Sequence, residues 1–142
     1  MITSAVPLAL VLVAILVLAA TGNLLSSSPV VITIQLLAVA LSIAARRTFQ
    51  AGTFRVGAPP SAGPMLQRGP YRLVRHPMYT AALLFIWAAV LSHRSRLTLA
   101  IGGAVTALVV LRVVAEERLL RTQYPEYVDY ARKVKALIPF VL

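Results

Sequence analysis

Uncharged apolar residues run along this chain in four blocks, at about residues 5–25, 30–45, 78–91 and 97–115. Blocks of this length and purity predict helices that cross a lipid bilayer rather than the core of a soluble domain. A helix needs roughly 20 apolar residues to cross the hydrocarbon core, and roughly 17 is near the lower limit. The third block is short by that measure, so it is expected either to borrow residues 71–77 or to thin the bilayer locally. The first block lacks a positive leading segment and is too long for the apolar part of a signal peptide, so it reads as a mature helix.

Between and after the blocks lie two polar segments. Residues 46–77 carry Gly52, Gly57, Pro59, Pro60, Gly63, Pro64, Gly69 and Pro70, which predicts an irregular loop. A loop this long in so small a protein usually has a function. Residues 116–142 start as an extension of the fourth helix and restart at Pro125, a residue suited to a first helical turn. From there Tyr127, Tyr130, Val134 and Leu137 recur at helical spacing opposite Asp129, Arg132, Lys133 and Lys135. That pattern predicts an amphipathic helix on the membrane face or over the loop, ending at Pro139. The expected fold is all-α: a polytopic bundle of about four transmembrane helices with a cytoplasmic loop and a C-terminal amphipathic helix. It forms one domain over residues 1–142, divided into a helix pair (1–45), the loop (46–77) and a hairpin with its C-terminal segment (78–142).

Composition supports the membrane reading. Of the 142 residues 59% are hydrophobic and 13% charged, and mean hydropathy is +0.83; soluble domains carry roughly a quarter charged residues. The net charge of +10 is one-sided. Arg94 and Arg96 sit in the turn between blocks three and four, and the other twelve of the 14 basic residues lie in the loop or near and beyond the end of block four. The positive-inside rule makes that side, with both termini, cytoplasmic. The expected location is multi-pass in a bacterial inner membrane, with membrane lipids as neighbours. Nucleic acid is not an expected partner, because the arginines cluster beside the spans. A bundle this small could also pair as a homodimer.

Two groups of residues could carry chemistry. The first is the run GPYRLVRHPMY at residues 69–79, where three arginines with Arg68, a histidine and two tyrosines meet a membrane boundary. Taken singly, the tyrosines are ordinary interfacial anchors and the arginines ordinary inside charges. Two prolines, however, stiffen the backbone that holds them, more than anchoring requires. The second is Arg112 with Glu116 and Glu117 at the inner end of block four. Arg112 and Glu116 share a helix face, as do Glu117 and Arg121. The bland reading is a pair of i,i+4 ion pairs. Ionisable groups at the edge of a span are nevertheless a default site hypothesis.

Several chemistries are excluded. With no cysteine there is no disulfide, thiolate metal site or cysteine nucleophile. There is no GxGxxG after a strand, P-loop, HExxH or GxSxG pattern. Two histidines cannot build a metal site unaided.

GPYRLVRHPMY, a helical hairpin, R-x-x-x-EE, the Tyr-rich YPEYVDYARKV and a closing Leu137-Ile138-Pro139-Phe140, taken together, resemble the isoprenylcysteine carboxyl methyltransferase family. That family belongs to a wider group of membrane methyltransferases that includes phospholipid N-methyltransferases. The resemblance covers roughly residues 52–142. It implies a methyltransferase using S-adenosyl-L-methionine and releasing S-adenosyl-L-homocysteine. By position, Gly63, Pro64, Met65, Leu66, Tyr71, His76, Pro77, Met78, Tyr79 and Glu116 would contact the cofactor, and Pro139 would close its pocket. Arg112 would meet the acceptor, with Arg112 and Glu116 as the catalytic pair. The family's acceptor is a prenylcysteine carboxylate; an amine headgroup, a thiol or a quinone-like lipid stays open here. Ala81 stands where the family usually has Gly, and Gln67 and Arg68 replace small hydroxylic residues. Two other classes remain: an NADPH-dependent membrane reductase of the sterol-reductase type, and a non-enzymatic tetraspan scaffold binding anionic lipid.

Overall fold

A computed structural model of the protein describes residues 2–51 and 67–138, with side chains from residue 9 to 48 and from 67 to 138. Within them the fold is all-helical: α1 (Ile2–Ala20), α2 (Pro29–Ala51), a 3-10 turn (Gly69–Arg72), α3 (Pro77–Ser92), α4 (Arg96–Gln123) and α5 (Tyr127–Lys133). The four apolar blocks of the sequence each become one of the first four helices.

Local chemistry sets the ends. Gly22, at φ +69°, closes α1: its N–H donates to Ala19 O at 3.0 Å and Asn23 N–H to Leu18 O at 2.8 Å, a pairing that needs a left-handed residue. Pro29 and Pro77 open α2 and α3, where a missing N–H costs nothing. Ser95 and Thr98 form a reciprocal cap for α4, at 3.0 and 3.1 Å. Thr98 also donates to His93 O at 2.9 Å, which knits the α3–α4 turn.

Packing follows the small residues. The core cluster joins Leu18 of α1, Ile86 and Val90 of α3, and Val105, Val109 and Val113 of α4. The four-residue spacing of the three α4 valines is one stripe of that helix. Gly102 lies on the α3 side, where a Cβ would sit 3.2 Å from Val90 and 3.5 Å from Trp87, and the Trp87 indole N–H donates to Thr106 at 2.9 Å. The closest helix pair is α2 with α3. Both helices bury alanines, Ala38 and Ala45 on α2 and Ala81, Ala88 and Ala89 on α3, and small residues let backbones approach closely in membrane bundles. The outward faces are apolar as well: Leu12, Leu16, Leu36, Leu37 and Leu111 are more than half exposed.

Helices Pro29–Thr48 and Arg96–Gln123 are long and apolar enough to cross a membrane, and Ala9–Ala20 and Pro77–Ser92 are shorter apolar stretches. Two sequence expectations are corrected. Of residues 71–77 only Pro77 joins the third helix, which begins there and has 16 residues, about 24 Å. The two prolines and the pairing of residues 74–76 with the C-terminal segment keep that stretch out of the helix. The C-terminal helix is also shorter than its apolar spacing predicts. It stops at Lys133 after 7 residues, because Lys135 and Ala136 turn their carbonyls to the N–H groups of Arg75 and His76 at 2.8 and 3.0 Å.

The glycine pair on α4 offers a direct check on this packing. Gly102→Leu is expected to cost about 1–3 kcal/mol by overpacking and to lower the thermal midpoint in detergent. Gly103→Ala, with nothing within 4 Å of its added Cβ, should leave the midpoint at or above that of the parent.

Candidate active site

The polar residues converge where α3 begins and α4 ends. The approach to α3 is built by Gly69, which has φ +55° and lies so close to α2 that a Cβ would meet Thr48 Oγ1 at 2.8 Å. Pro70 is the second residue of the 3-10 turn, and the amides of Leu73 and Val74 both donate to its carbonyl, at 3.0 and 3.2 Å. Residues 74–76 run beside the C-terminal segment without forming helix, with an isolated parallel bridge between Val74 and Lys135. Thr80 ties the same segment to α3 through Leu137 O at 2.7 Å. The result sets Arg75 and His76 against α4, with Tyr79 one helical turn along.

Glu116 and Glu117 meet this segment differently. Glu116 Oε1 accepts from Tyr79 OH at 2.9 Å and pairs with Arg112 Nη2 at 2.8 Å, and Arg112 Nε donates to the same phenol oxygen at 3.3 Å. Tyr79, Arg112 and Glu116 thus close a triangle. Glu117 Oε1 accepts from Arg75 Nε at 2.8 Å, from Tyr127 OH at 2.6 Å and from His76 Nε2, 2.9 Å away. The two groups touch through His76, whose Nδ1 stands 3.6 Å from Glu116 Oε2.

The C-terminal segment closes the cluster from outside. Arg75 Nη1 donates to Ala131 O at 2.7 Å and to Val134 O, and Tyr130 OH donates to Tyr71 O at 2.6 Å. Burial, and then the charge of Glu116, push the Tyr71 phenol up to about 12. The Tyr130 phenol reaches about 12, mainly through burial. Burial and the bond to Glu117 raise Tyr127 further still. These three tyrosines are neutral donors at any working pH.

Of the residues singled out from sequence, Tyr71, His76, Tyr79, Arg112 and Glu116 come together here. Pro77 is buried at the start of α3, and Met78 is exposed beside it. Gly63, Pro64, Met65, Leu66 and Pro139 lie outside the described residues. Sequence reasoning paired Glu117 with Arg121 or offered it, with Glu116 and His76, as a base, and missed its contacts with Arg75, His76 and Tyr127. The Arg121 contact exists at 3.7 Å, but it is the weakest of the carboxylate's four. The signal was available: Glu117 continues the stripe Val105, Val109, Val113 at four-residue spacing. A carboxylate at a core position demands partners. A separate open groove of about 330 Å³, lined by Arg72, Glu126, Asp129 and Lys133 among others, holds none of the converging side chains except Tyr130. Among the described residues no cluster of acids and histidines is suited to a metal ion.

The phospholipid methyltransferase family model matches residues 29–127, from the start of α2 into α5, and so takes in Tyr71 to Tyr79, Arg112, Glu116, Glu117 and Tyr127, but not Tyr130 or the segment after it. The chain belongs to the phospholipid methyltransferase family. This agrees with the wider group of membrane methyltransferases to which the motif order points. The cobalt-zinc-cadmium resistance protein CzcN of Cupriavidus metallidurans is 34% identical over 76 residues, 53% of this chain and 35% of that protein. This chain therefore matches about a third of that relative's length. No solved structure matches it.

Gly69 has two reasons to resist a side chain. Gly69→Ala is expected to lose about 1–2 kcal/mol to the left-handed backbone alone, and more to Thr48. In the Thr48→Ala background the second loss should disappear while the first persists, read as unfolding midpoints of the four variants in one detergent.

Proposed function

We propose that this protein transfers a methyl group from S-adenosylmethionine to a hydrophobic or lipid-like acceptor, at the cytoplasmic face of a membrane that it crosses four times. The observation that carries the reading is the Tyr79–Arg112–Glu116 triangle, joined through His76 to Glu117, at the end of a bundle whose outer faces are apolar.

The residues present suit such a cofactor. It combines a cationic sulfonium, an ammonium, a carboxylate and an adenine ring, and it supplies a methyl group on a sulfur that leaves readily. Glu116, less buried than Glu117, is the carboxylate best able to take a cationic group. The rings of Tyr71 and Tyr79 offer π faces to a cation or to adenine. Residues 63–66 and Pro139 complete the set that the family resemblance implies.

The protein's own part is then alignment and exclusion of water, which supply about 7–11 kcal/mol of barrier reduction in well-oriented systems. Arg112, braced by Tyr79 and Glu116, presents a guanidinium that can hold and orient an anionic acceptor. A carboxylate acceptor needs no base. An amine or thiol must lose a proton, and Glu116 and His76 serve better than Glu117, whose carboxylate already accepts three short hydrogen bonds. Glu116 cannot serve a cationic ligand fully while bound to Arg112, so the cofactor's arrival would release Arg112 toward the acceptor and favour cofactor-first binding. A lipid-like acceptor would enter sideways between helices while the polar cofactor comes from the aqueous side.

Isothermal titration of the detergent-solubilised protein with S-adenosylhomocysteine tests the reading. Saturable binding that Glu116→Ala and His76→Ala each weaken at least about tenfold is the expected result (roughly 1.4 kcal/mol). A folded parent protein that binds none of it sinks the proposal. The acceptor follows from offering labelled methyl donor with a carboxylate, an amine headgroup and a thiol lipid in parallel.

Topology has its own check, because the chain has no cysteine. Single cysteines introduced at Ser27 and Lys135 are expected to react with an impermeant maleimide from opposite sides of the membrane, Lys135→Cys from the cytoplasmic side. Labelling of both from one side rules out the four-span arrangement.

A further inference from the structure

Glu117 is the side chain that the methyl-transfer reading leaves without a task, and it holds the densest set of contacts at this end of the fold. Its Oε1 takes Arg75 Nε, His76 Nε2 and Tyr127 OH at 2.8, 2.9 and 2.6 Å. Three donors from two segments far apart in sequence meet on one oxygen that belongs to a third.

An ionised carboxylate can only accept. Facing it at 2.9 Å, Nε2 of His76 therefore carries the hydrogen, and the partner of one ring nitrogen decides the state of the other. In a neutral ring that leaves Nδ1 as the acceptor. It points at Glu116 Oε2 from 3.6 Å, beyond hydrogen-bond reach. Two acceptors that face each other at that distance make a place for a donor from a ligand. The imidazole itself is 7% exposed and lies 5.8 Å, centroid to centroid, from the Tyr79 ring.

We propose that Glu117 is a positioning residue, which holds the His76 ring in its Nε2–H form and so turns Nδ1, as an acceptor, toward Glu116 and the ligand site. Arg75 anchors Glu117 in turn: its Nε shares the same oxygen, while Nη1 is fixed by the carbonyls of Ala131 and Val134. Docking of α5 is thereby coupled to the orientation of one ring in the site. The consequence for ligand binding rests on the cofactor reading above; the ring geometry does not.

The test uses the full chain in detergent with 15N-labelled histidine at pH 8. Only two histidines contribute, and His93, at the far end of α3, serves as an internal reference. The parent protein should show His76 with a pyrrole-type Nε2 and a pyridine-type Nδ1. Glu117→Ala should collapse that pattern toward the tautomer mixture of a free ring and weaken S-adenosylhomocysteine at least tenfold. Glu117→Gln, whose amide oxygen still accepts, should restore the pattern and bring affinity back to within threefold. A merely structural role would move affinity equally in both variants and leave the ring pattern alone.

Should Glu117→Ala fail to fold, Glu117→Asp keeps the charge but withdraws the oxygen by one methylene, and is expected to lose the pattern too. The proposal is overturned by an Nδ1–H ring or a doubly protonated ring in the parent. It is equally overturned if the pattern survives in Glu117→Ala or Glu117→Asp. If the parent shows the expected ring but binds no S-adenosylhomocysteine, the cofactor reading fails and the assignment of Glu117 stands.

Discussion

A carboxylate cannot be withdrawn from water without compensation. The cost after relaxation is on the order of several kcal/mol per ion, and Glu117, with 12% of its side chain exposed, meets that cost through three short hydrogen bonds to Oε1. The way it does so organises this end of the molecule. Arg75 and His76 reach it from residues 74–76, which form no helix. Their backbone N–H groups then need acceptors, and residues 135 and 136 supply them. Tyr127 must lie within reach as well, so α5 docks by its tyrosine face, and Tyr130 closes on Tyr71. One acid on α4 thus accounts for the course of two non-helical segments.

The unequal helices of the hairpin make this possible. With 28 residues, α4 is about 42 Å long against about 24 Å for α3, and the two are joined tightly at Ser95 and Thr98. The excess falls at the other end, where α4 runs past the start of α3 carrying Glu116, Glu117, Arg118 and Arg121. The proline that shortens α3 is the one that follows His76, so a single local feature both ends the apolar helix and presents the histidine to the acids. Gly69, pressed on Thr48 of α2, brings the loop back across the bundle to that point.

Hydrophobic pattern made the first four helices legible, because each uncharged apolar block became a single helix. The start of α3 was legible in Pro77, because helix is disfavoured just before a proline, but the restart expected at Pro125 comes two residues later, at Tyr127. The C-terminal segment misled: Tyr127, Tyr130, Val134 and Leu137 keep helical spacing, yet only the first two lie in a helix. A four-residue apolar spacing does not reveal that residues 135 and 136 are needed as backbone acceptors by a segment some sixty residues earlier in the chain. The site was legible as an ensemble of residues. The division of labour between Glu116 and Glu117 was not, since adjacent acids look alike until the helix phase is measured against the core valines.

The energetics also say what this cluster is for. Replacing buried ion pairs by apolar side chains of similar volume is often neutral or stabilising by about 1–4 kcal/mol. The same helix shows the apolar alternative one and two turns earlier, at Val113 and Val109, which pack without any polar partner. Stability alone would therefore favour continuing the valine stripe to position 117 and leaving position 112 apolar. Instead Arg75 and Arg112 are matched by Glu117 and Glu116, and a histidine lies between the acids. Charges balanced in this way can stay at a membrane boundary without a large net field, yet each can re-pair when a ligand brings charge of its own. Glu116 is the more exposed of the two acids, at 26% against 12%, whereas Glu117 gathers three short hydrogen bonds on one oxygen.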